Sequence, residues 1–397
     1  MHRYTWPHCV VSRFFIPANH APYGRVWLDF DRQKASQRPS LDPHHATGER
    51  CSQTQAPWQI MALQNLLTDV AGVRVGHAQD DALMSGVTVA LFDRPTVASV
   101  ATRGGAPGGR DTGLLEPEMT VQGIDAVVLS GGSTCGLDAA GGVSGYLRGQ
   151  GVGFAIGPLR IPITVQAIMF DLLNGGDKNW GRVPPYWELG WQAAEAASGD
   201  AFALGSVGGG YGATTANLRG GLGSASVITA GGFTVAALAV VNAVGTVTVG
   251  SGPHFWAAPF ENGSEFGGFG FPRPMPANAL ALHTKGRNPP STTIALVVTD
   301  AVLTKAQAKR LAIMADDGIA KAVRPAHAPM DGDTVFAVST LGQPMRADAP
   351  DLTEIGMAAG DCLARAIARG VYEAAATPAG WTGPPAYRQC FPAGRNR

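Results

Sequence analysis

The stretch Asn288-Pro289-Pro290-Ser291-Thr292-Thr293-Ile294-Ala295-Leu296-Val297-Val298-Thr299-Asp300 changes character in its middle. Gly286 to Pro290 cannot be helix. Each proline removes a backbone donor and fixes φ, and the residue before each is pushed to an extended conformation. From Thr292 onward the chain is a β-branched apolar run, the composition of a buried strand. A hydroxyl residue therefore stands where an exposed loop enters a core strand. An ordinary loop-to-strand junction fits this pattern. So does a self-cleavage point, at which the loop distorts for cutting and the strand then holds the freed Thr292 rigidly.

A second stretch bears on that choice. In Met330-Asp331-Gly332-Asp333-Thr334-Val335-Phe336-Ala337-Val338 two carboxylates flank a glycine just ahead of another apolar strand. Together with Ser291-Thr292-Thr293-Ile294 and an intervening helix, it resembles the self-processing DmpA-type N-terminal-nucleophile amidohydrolases. These are typified by L-aminopeptidase/D-esterase and by the nylon-oligomer (6-aminohexanoate oligomer) hydrolase, the branch it resembles most. The resemblance runs from Leu66 to about Ala376. It takes in Leu67-Thr68-Asp69-Val70-Ala71-Gly72-Val73-Arg74-Val75-Gly76-His77, Arg103-Gly104-Gly105-Ala106-Pro107-Gly108, and Leu129-Ser130-Gly131-Gly132-Ser133 followed by Gly136-Leu137-Asp138-Ala139-Ala140.

Composition limits the alternatives. Hydrophobic residues make up 45% and charged residues 15% of 397, which describes a well-buried globular chain and not a disordered one. Thirty basic residues balance thirty acidic ones, so no electrostatic attraction to nucleic acid or an anionic membrane is expected. Five cysteines (Cys9, Cys51, Cys135, Cys362 and Cys390) are an odd number without paired spacing. They argue against a disulfide framework or a zinc site and for a reducing, cytoplasmic compartment. Cys135, in Gly-Gly-Ser-Thr-Cys-Gly, reads as a small buried hydrophobe sooner than as a nucleophile, since no histidine accompanies it in a recognisable arrangement.

Residues 1–60 carry scattered Arg, His and Pro without period and lack the apolar run of a signal peptide, so they read as a disordered extension or a misassigned start. The single catalytic domain is expected over 61–397. Strands are expected at Val73–Gly76, Gly86–Phe92, Val97–Thr102 and Asp125–Leu129, helices at Ser133–Arg148 and Trp191–Ala197, and an apolar strand pair over Val235–Val249. A helix from Lys305 to Val323 capped by Thr304, a strand over Asp331–Ser339 and a helix over Leu352–Ala376 complete the chain. Arg103 to Arg110 is a glycine-rich loop without the Gly-Lys-Ser/Thr ending of a phosphate cradle. Phe255, Trp256, Phe260, Phe266, Phe269 and Phe271 could line a substrate approach. Strands inside and helices outside give a layered α/β/β/α sandwich, the architecture the resemblance also implies, shared with ornithine acetyltransferases.

The resemblance implies a site. Thr292 would be the nucleophile, released by cleavage between Ser291 and Thr292 into chains 61–291 and 292–397. Asp331 and Asp333 would orient and tune its amine and hydroxyl. Asn242, a polar residue in an apolar stretch, would either cap a turn at Asn242-Ala243-Val244-Gly245 or serve as an oxyanion donor. No cofactor or metal is called for, because a free α-amine has a reference pKa near ~7.7 and can take the hydroxyl proton itself. The expected substrate is a small peptide or amide oligomer, and the expected state is a homo-oligomer, by resemblance a tetramer. Two departures matter. The lysine that relatives place at about Asn217 is missing, with Arg219 nearby in sequence, and Ser291 stands where the nylon hydrolase has asparagine. No glutamate lies between Gly157 and Tyr186, where the aminopeptidase branch holds the substrate's free amine, although Asp171 or Asp177 could take that role. Alternatives are L-aminopeptidase/D-esterase exo-activity, acyl transfer of the ornithine acetyltransferase type, or an uncleaved assembly or binding module.

Overall fold

Val87, Val89 and Leu91 face one side of a long strand, and Ala90, Phe92, Ala98 and Val100 face the other. That alternation orders the whole molecule. The computed structural model describes residues 63–286, 291–343 and 347–392. Its strands and helices are β1 (Val73–Asp80), β2 (Ser85–Thr102), β3 (Gly109–Arg110), β4 (Ile124–Ser130), α1 (Ala139–Gly149), β5 (Phe154–Ile156), β6 (Leu159–Ile161), β7 (Thr164–Ile168) and α2 (Tyr186–Glu195). They continue as β8 (Gly221–Ile228), β9 (Thr234–Asn242), β10 (Thr292–Thr299), α3 (Lys305–Ala322), β11 (Thr334–Ser339) and α4 (Ala349–Tyr372).

The hydrogen-bonded path is β3-β7-β4-β2-β11-β10-β9-β8, with β1 beside β2. The first half of β2 pairs with β1 and β4, and its second half, Val97 to Thr102, pairs with β11. β2 thus belongs to two sheets that face each other. Between them lies one apolar core, in which Val127, Leu129 and Val165 of the first sheet meet Leu238, Val240, Ile294, Leu296 and Phe336 of the second. The outer face of the first sheet packs on α1 and α2 through Val89, Val128, Val143 and Leu189. The outer face of the second packs on α3 and α4 through Ala239, Val297, Leu311 and Leu363. This is the expected α/β/β/α sandwich. Strands buried on both faces are apolar throughout, and for this reason β4, β9 and β10 stood out in the sequence.

Several boundaries differ from expectation. Gly86–Phe92 and Val97–Thr102 are halves of one strand, because the exposed Asp93-Arg94-Pro95 is accommodated where the pairing with β4 shifts register. The expected strand pair over Val235–Val249 is a single strand, β9, whose neighbours are β8 and β10. β8 was not among the expected strands. Its Gly223 is needed because a Cβ there would lie 1.9 Å from the Ala366 carbonyl oxygen of α4, so the glycines serve close helix-on-sheet packing. The Trp191–Ala197 helix begins earlier, at Tyr186, and the Ser133–Arg148 helix opens with a 3-10 segment, Ser133–Asp138. Thr304 caps α3 as expected, its side chain accepting from Gln307 N. Residues 1–60 and Arg287 to Pro290 lie outside the described residues. Among the described residues no helix is long and apolar enough to cross a membrane.

Candidate active site

Thr292 opens β10, and the antiparallel register sets it opposite Asn242, the last residue of β9. Both share the parity of residues that point into the core between the sheets, Ile294 and Leu296 on one strand and Leu238 and Val240 on the other. On the other flank β11 runs parallel to β10, and its lead-in carries Asp331 and Asp333. The expected strand start at Asp331 is therefore corrected to Thr334. Three strand ends converge on one spot.

The peptide ahead of Thr292 is gripped from two sides. The Thr292 hydroxyl donates to the Ser291 carbonyl oxygen, and the Gly332 N–H donates to the same oxygen at 2.9 Å. Gly332 has no room for a side chain there: a Cβ would come 2.8 Å from Thr292 Oγ1 and 3.1 Å from the Ala106 carbonyl oxygen. The glycine between the two aspartates is thus demanded by the threonine against it, which an ordinary Asp-Gly turn would not require. The Arg103–Ala106 loop closes the back of this arrangement. Ala106 N donates to the Asp331 carbonyl oxygen at 2.7 Å, and Arg103 N to that of Asp333 at 3.1 Å. The loop grips backbone and is no phosphate cradle.

The two carboxylates are buried and differ in their partners. Asp333 Oδ1 accepts from Thr293 N at 2.7 Å, while its Oδ2 accepts from His327 N at 3.1 Å and lies 2.9 Å from His327 Nδ1. His327 Nε2 lies 3.2 Å from Asp316 Oδ2. Bonded between two carboxylates, the imidazole is pushed up to about 10 and is an imidazolium at neutral pH. Asp331 Oδ2 accepts from Ala328 N at 2.9 Å, whereas its Oδ1 is buried without a partner among the described residues. Burial, and then the charge of Asp333, push the Asp331 carboxyl up to about 6.

Asn242 is fully buried and does not cap a turn. Its Oδ1 accepts from Thr214 N at 3.0 Å and from Lys285 Nζ at 2.9 Å, and its Nδ2 donates to the Phe170 carbonyl oxygen at 2.9 Å. Neither a backbone N–H nor an ammonium can accept, so the amide has one allowed orientation. Lys285 Nζ also donates to the Asn242 carbonyl oxygen at 2.9 Å. The residue as a whole is half-exposed while its ammonium is buried. Burial pushes the ammonium down to about 7 against the pull of Asp331, Asp171 and Asp333.

Lys285 and His327 were not legible in the sequence. Each is a lone residue in a Gly/Pro-containing segment without periodicity, and only the spacing of His327 from Asp331 could have hinted at contact. Other candidates are engaged with partners of their own. Asn217 Nδ2 donates to Thr248 Oγ1 at 3.2 Å. Arg219 is spent on the carbonyl oxygens of Ala375, Ala376 and Tyr211, so it does not stand in for the missing lysine. Cys135 packs against the core under α1 and α2. Of the expected aromatic lining, Phe255 and Phe266 are buried in the core beneath α4, while Phe269 and Phe271 remain exposed. Asp171 is buried and accepts from Ser85 Oγ at 2.6 Å and Gly132 N at 2.8 Å; Asp177 accepts from Asn179 N at 2.8 Å.

Known proteins share the sequence and the fold. The model of peptidase family S58 matches residues 65–382. An uncharacterised aminopeptidase of Mycobacterium bovis is 41% identical over 352 residues, covering 83% of this chain and 98% of its own. The 6-aminohexanoate-oligomer endohydrolase of Kocuria sp. is 27% identical over 300 residues, covering 72% of this chain and 77% of its own. Among solved structures, the L-aminopeptidase D-Ala-esterase/amidase of Ochrobactrum anthropi, described as a variant of the Ntn-hydrolase fold, superposes with a TM-score of 0.54 at 22% identity, covering 78% of this chain and 86% of its own. The chain belongs to peptidase family S58 and is a hydrolase of peptide or amide bonds.

Proposed function

We propose that the chain cuts itself between Ser291 and Thr292 and then uses Thr292 as an N-terminal nucleophile on amide bonds. The observation that carries this reading is the Ser291 carbonyl oxygen, held at once by the Thr292 hydroxyl and the Gly332 N–H. In the precursor, Thr292 Oγ attacks the Ser291 carbonyl carbon while Asp331 takes the hydroxyl proton. The Gly332 N–H meets the charge that develops on the oxygen. Asp331 returns the proton to the departing nitrogen as collapse breaks the C–N bond, leaving a Ser291 ester on Thr292 Oγ and a free Thr292 amine. Water hydrolyses the ester and gives chains ending at Ser291 and beginning at Thr292.

Turnover repeats the same steps on an external acyl group. The Thr292 amine, reference pKa near ~7.7, takes the Oγ proton as the oxygen attacks. It returns the proton to the departing amine, and water releases the acyl product. The position vacated by the Ser291 carbonyl oxygen would receive the substrate oxyanion. The Gly332 N–H, and the Asn242 Nδ2 hydrogen not used by Phe170, would serve it there. One such donor is typically worth about 3 to 4 kcal/mol. Asp333 holds the Thr293 amide and so keeps the nucleophile's strand in register. The reading further takes internal or blocked amides as substrates. No glutamate lies between Gly157 and Tyr186, and Asp171 already accepts two hydrogen bonds.

Denaturing gel electrophoresis of the purified protein tests the first step. Two bands are expected, and N-terminal sequencing of the smaller should read Thr-Thr-Ile-Ala-Leu. A single band with no amidase activity would favour the uncleaved binding module. An acyltransferase would be recognised by products appearing on an added amine in preference to water.

A further inference from the structure

Lys285 lies a few residues upstream of the proposed cut, on the segment that cleavage would turn into the free end of the N-terminal chain. It is fixed at both ends. Its backbone N–H donates to the Val244 carbonyl oxygen at 3.1 Å, and its ammonium reaches Asn242 O and Oδ1, each at 2.9 Å. An ammonium is expensive to bury unless paired, and the groups that offset it here are Asn242 together with Asp331, Asp333 and Asp171. His327 lies on the far oxygen of Asp333 and adds a second positive charge to that side. Asp331 Oδ1 is the complementary anomaly, a buried carboxylate oxygen without a partner among the described residues.

A lysine that only closed off a strand end would need the Asn242 carbonyl oxygen alone. This one also takes the side-chain oxygen, and so joins the Thr214 N–H and the Phe170 carbonyl oxygen in keeping the Nδ2 hydrogens on the opposite side of the amide. Building on the reading of Thr292 as nucleophile, we propose that Lys285 is a positioning residue for that reaction. Its ammonium steadies the Asn242 amide, beside the Thr214 N–H, in the donor-presenting orientation and offsets the carboxylates beside the nucleophile, and it stays docked after the chain is cut. Lys285 is then a working part of the site in the processed enzyme. The ammonium's position near neutrality, about 7, makes its charge sensitive to this placement.

The test compares wild type, Lys285→Met and Lys285→Arg as full chains. Wild type is first shown to give two bands and to hydrolyse an aminoacyl anilide; failure there rejects the Thr292 reading itself. With that established, Lys285→Met should lower kcat by about tenfold to a hundredfold, less than the roughly hundredfold to thousandfold cost of losing an oxyanion donor outright, with KM within about threefold. Lys285→Arg keeps a cation on Asn242, so it should recover most of kcat and move the alkaline limb of the kcat–pH profile upward. Wild-type kcat in the methionine variant, or an unshifted profile in the arginine variant, overturns the proposal. Should Lys285→Met fail to fold, the arginine profile decides alone. Independently of activity, trypsin acting on native processed enzyme should give no peptide ending at Lys285, whereas the unfolded chain should give one. A native cut there shows that the ammonium is not docked.

Discussion

Gly332 N and the Ser291 carbonyl oxygen lie 2.9 Å apart, which ties the residue between two aspartates to the peptide bond ahead of Thr292. The contact exists because β10 and β11 run parallel and side by side, so that their lead-in segments meet at the same end of the sheet. It makes Gly332 a sharp probe. Gly332→Ala would thrust a methyl group to 2.8 Å from Thr292 Oγ1. We expect an overpacking cost of about 1 to 3 kcal/mol and processing slowed by about a hundredfold or more. Densitometry of the two bands over time, beside a thermal melt, reads both.

Thr292→Ala should leave one band and no activity, while Thr293→Ala should still be cut. Thr293 is buried in the same strand, but its parity turns its side chain to the opposite face, and its part in the site is its backbone N–H to Asp333. A processed and active Thr292→Ala would remove Thr292 from the nucleophile's role.

Asp331 carries opposite demands. Its pKa of about 6 lies above the unfolded value near ~3.9, so the native state holds the proton more tightly than the unfolded chain does. Stability from this group is therefore greatest below about pH 4 and falls as pH rises to about 6, whereas a proton acceptor is present only above about 6. Asp331→Asn should thus raise neutral-pH stability by about 1 to 2 kcal/mol and abolish or greatly slow processing. Urea titrations at pH 4 and pH 8 check the sign: the gain should appear at pH 8 and vanish at pH 4. Asp333→Ala, by contrast, should destabilise, since it strands the Thr293 N–H and His327.

His327 titrates with the same sign, at higher pH. Its pKa of about 10 exceeds the unfolded 6.5, so its contribution is complete below pH 6.5 and is lost as pH rises through 10. His327→Gln leaves Asp316 and Asp333 buried without their cation, and a loss of about 3 kcal/mol or more is expected at pH 7. The melting temperature of the wild type should fall between pH 7 and pH 10 more steeply than that of the variant. Parallel slopes would show that the imidazole is neutral between its two carboxylates.

These sites differ in how they announce themselves. Thr292 and the Asp331-Gly332-Asp333 segment were legible because each stands where polar residues give way to a fully apolar strand, and strands buried on both faces have that unmistakable composition. Asn242 was legible for the same reason, as one amide in an apolar run. β8 was hidden because its glycines answer to α4, far along the chain, and not to local β propensity. Lys285 and His327 were hidden more deeply. An isolated lysine or histidine carries no pattern, and only the meeting of β9, β10 and β11 gives each its carboxylate neighbours. For the same reason Arg219, close in sequence to the missing lysine, proved to serve the Ala375 and Ala376 carbonyls.

The last expectation concerns the substrate amine. An aminopeptidase needs an acceptor for a free ammonium, and such a charge-assisted contact is worth about 1.5 to 3 kcal/mol. The two carboxylates near that region are poorly placed to supply it. Asp171 is buried, its two oxygens accept from Ser85 and Gly132, and burial pushes its carboxyl upward. Asp177 is exposed and accepts from the Asn179 N–H. Lys285, pushed down to about 7, still brings part of a positive charge into the site at neutral pH, which opposes an incoming ammonium. Blocked or internal amides should therefore be hydrolysed at least as well as free-amine analogues. Comparing kcat/KM for one aminoacyl anilide with and without an N-acetyl group decides it. Near-equal values fit a site that reads the amide and ignores the amine; a fall of about a hundredfold on acetylation, about 2.7 kcal/mol, would make the enzyme an aminopeptidase.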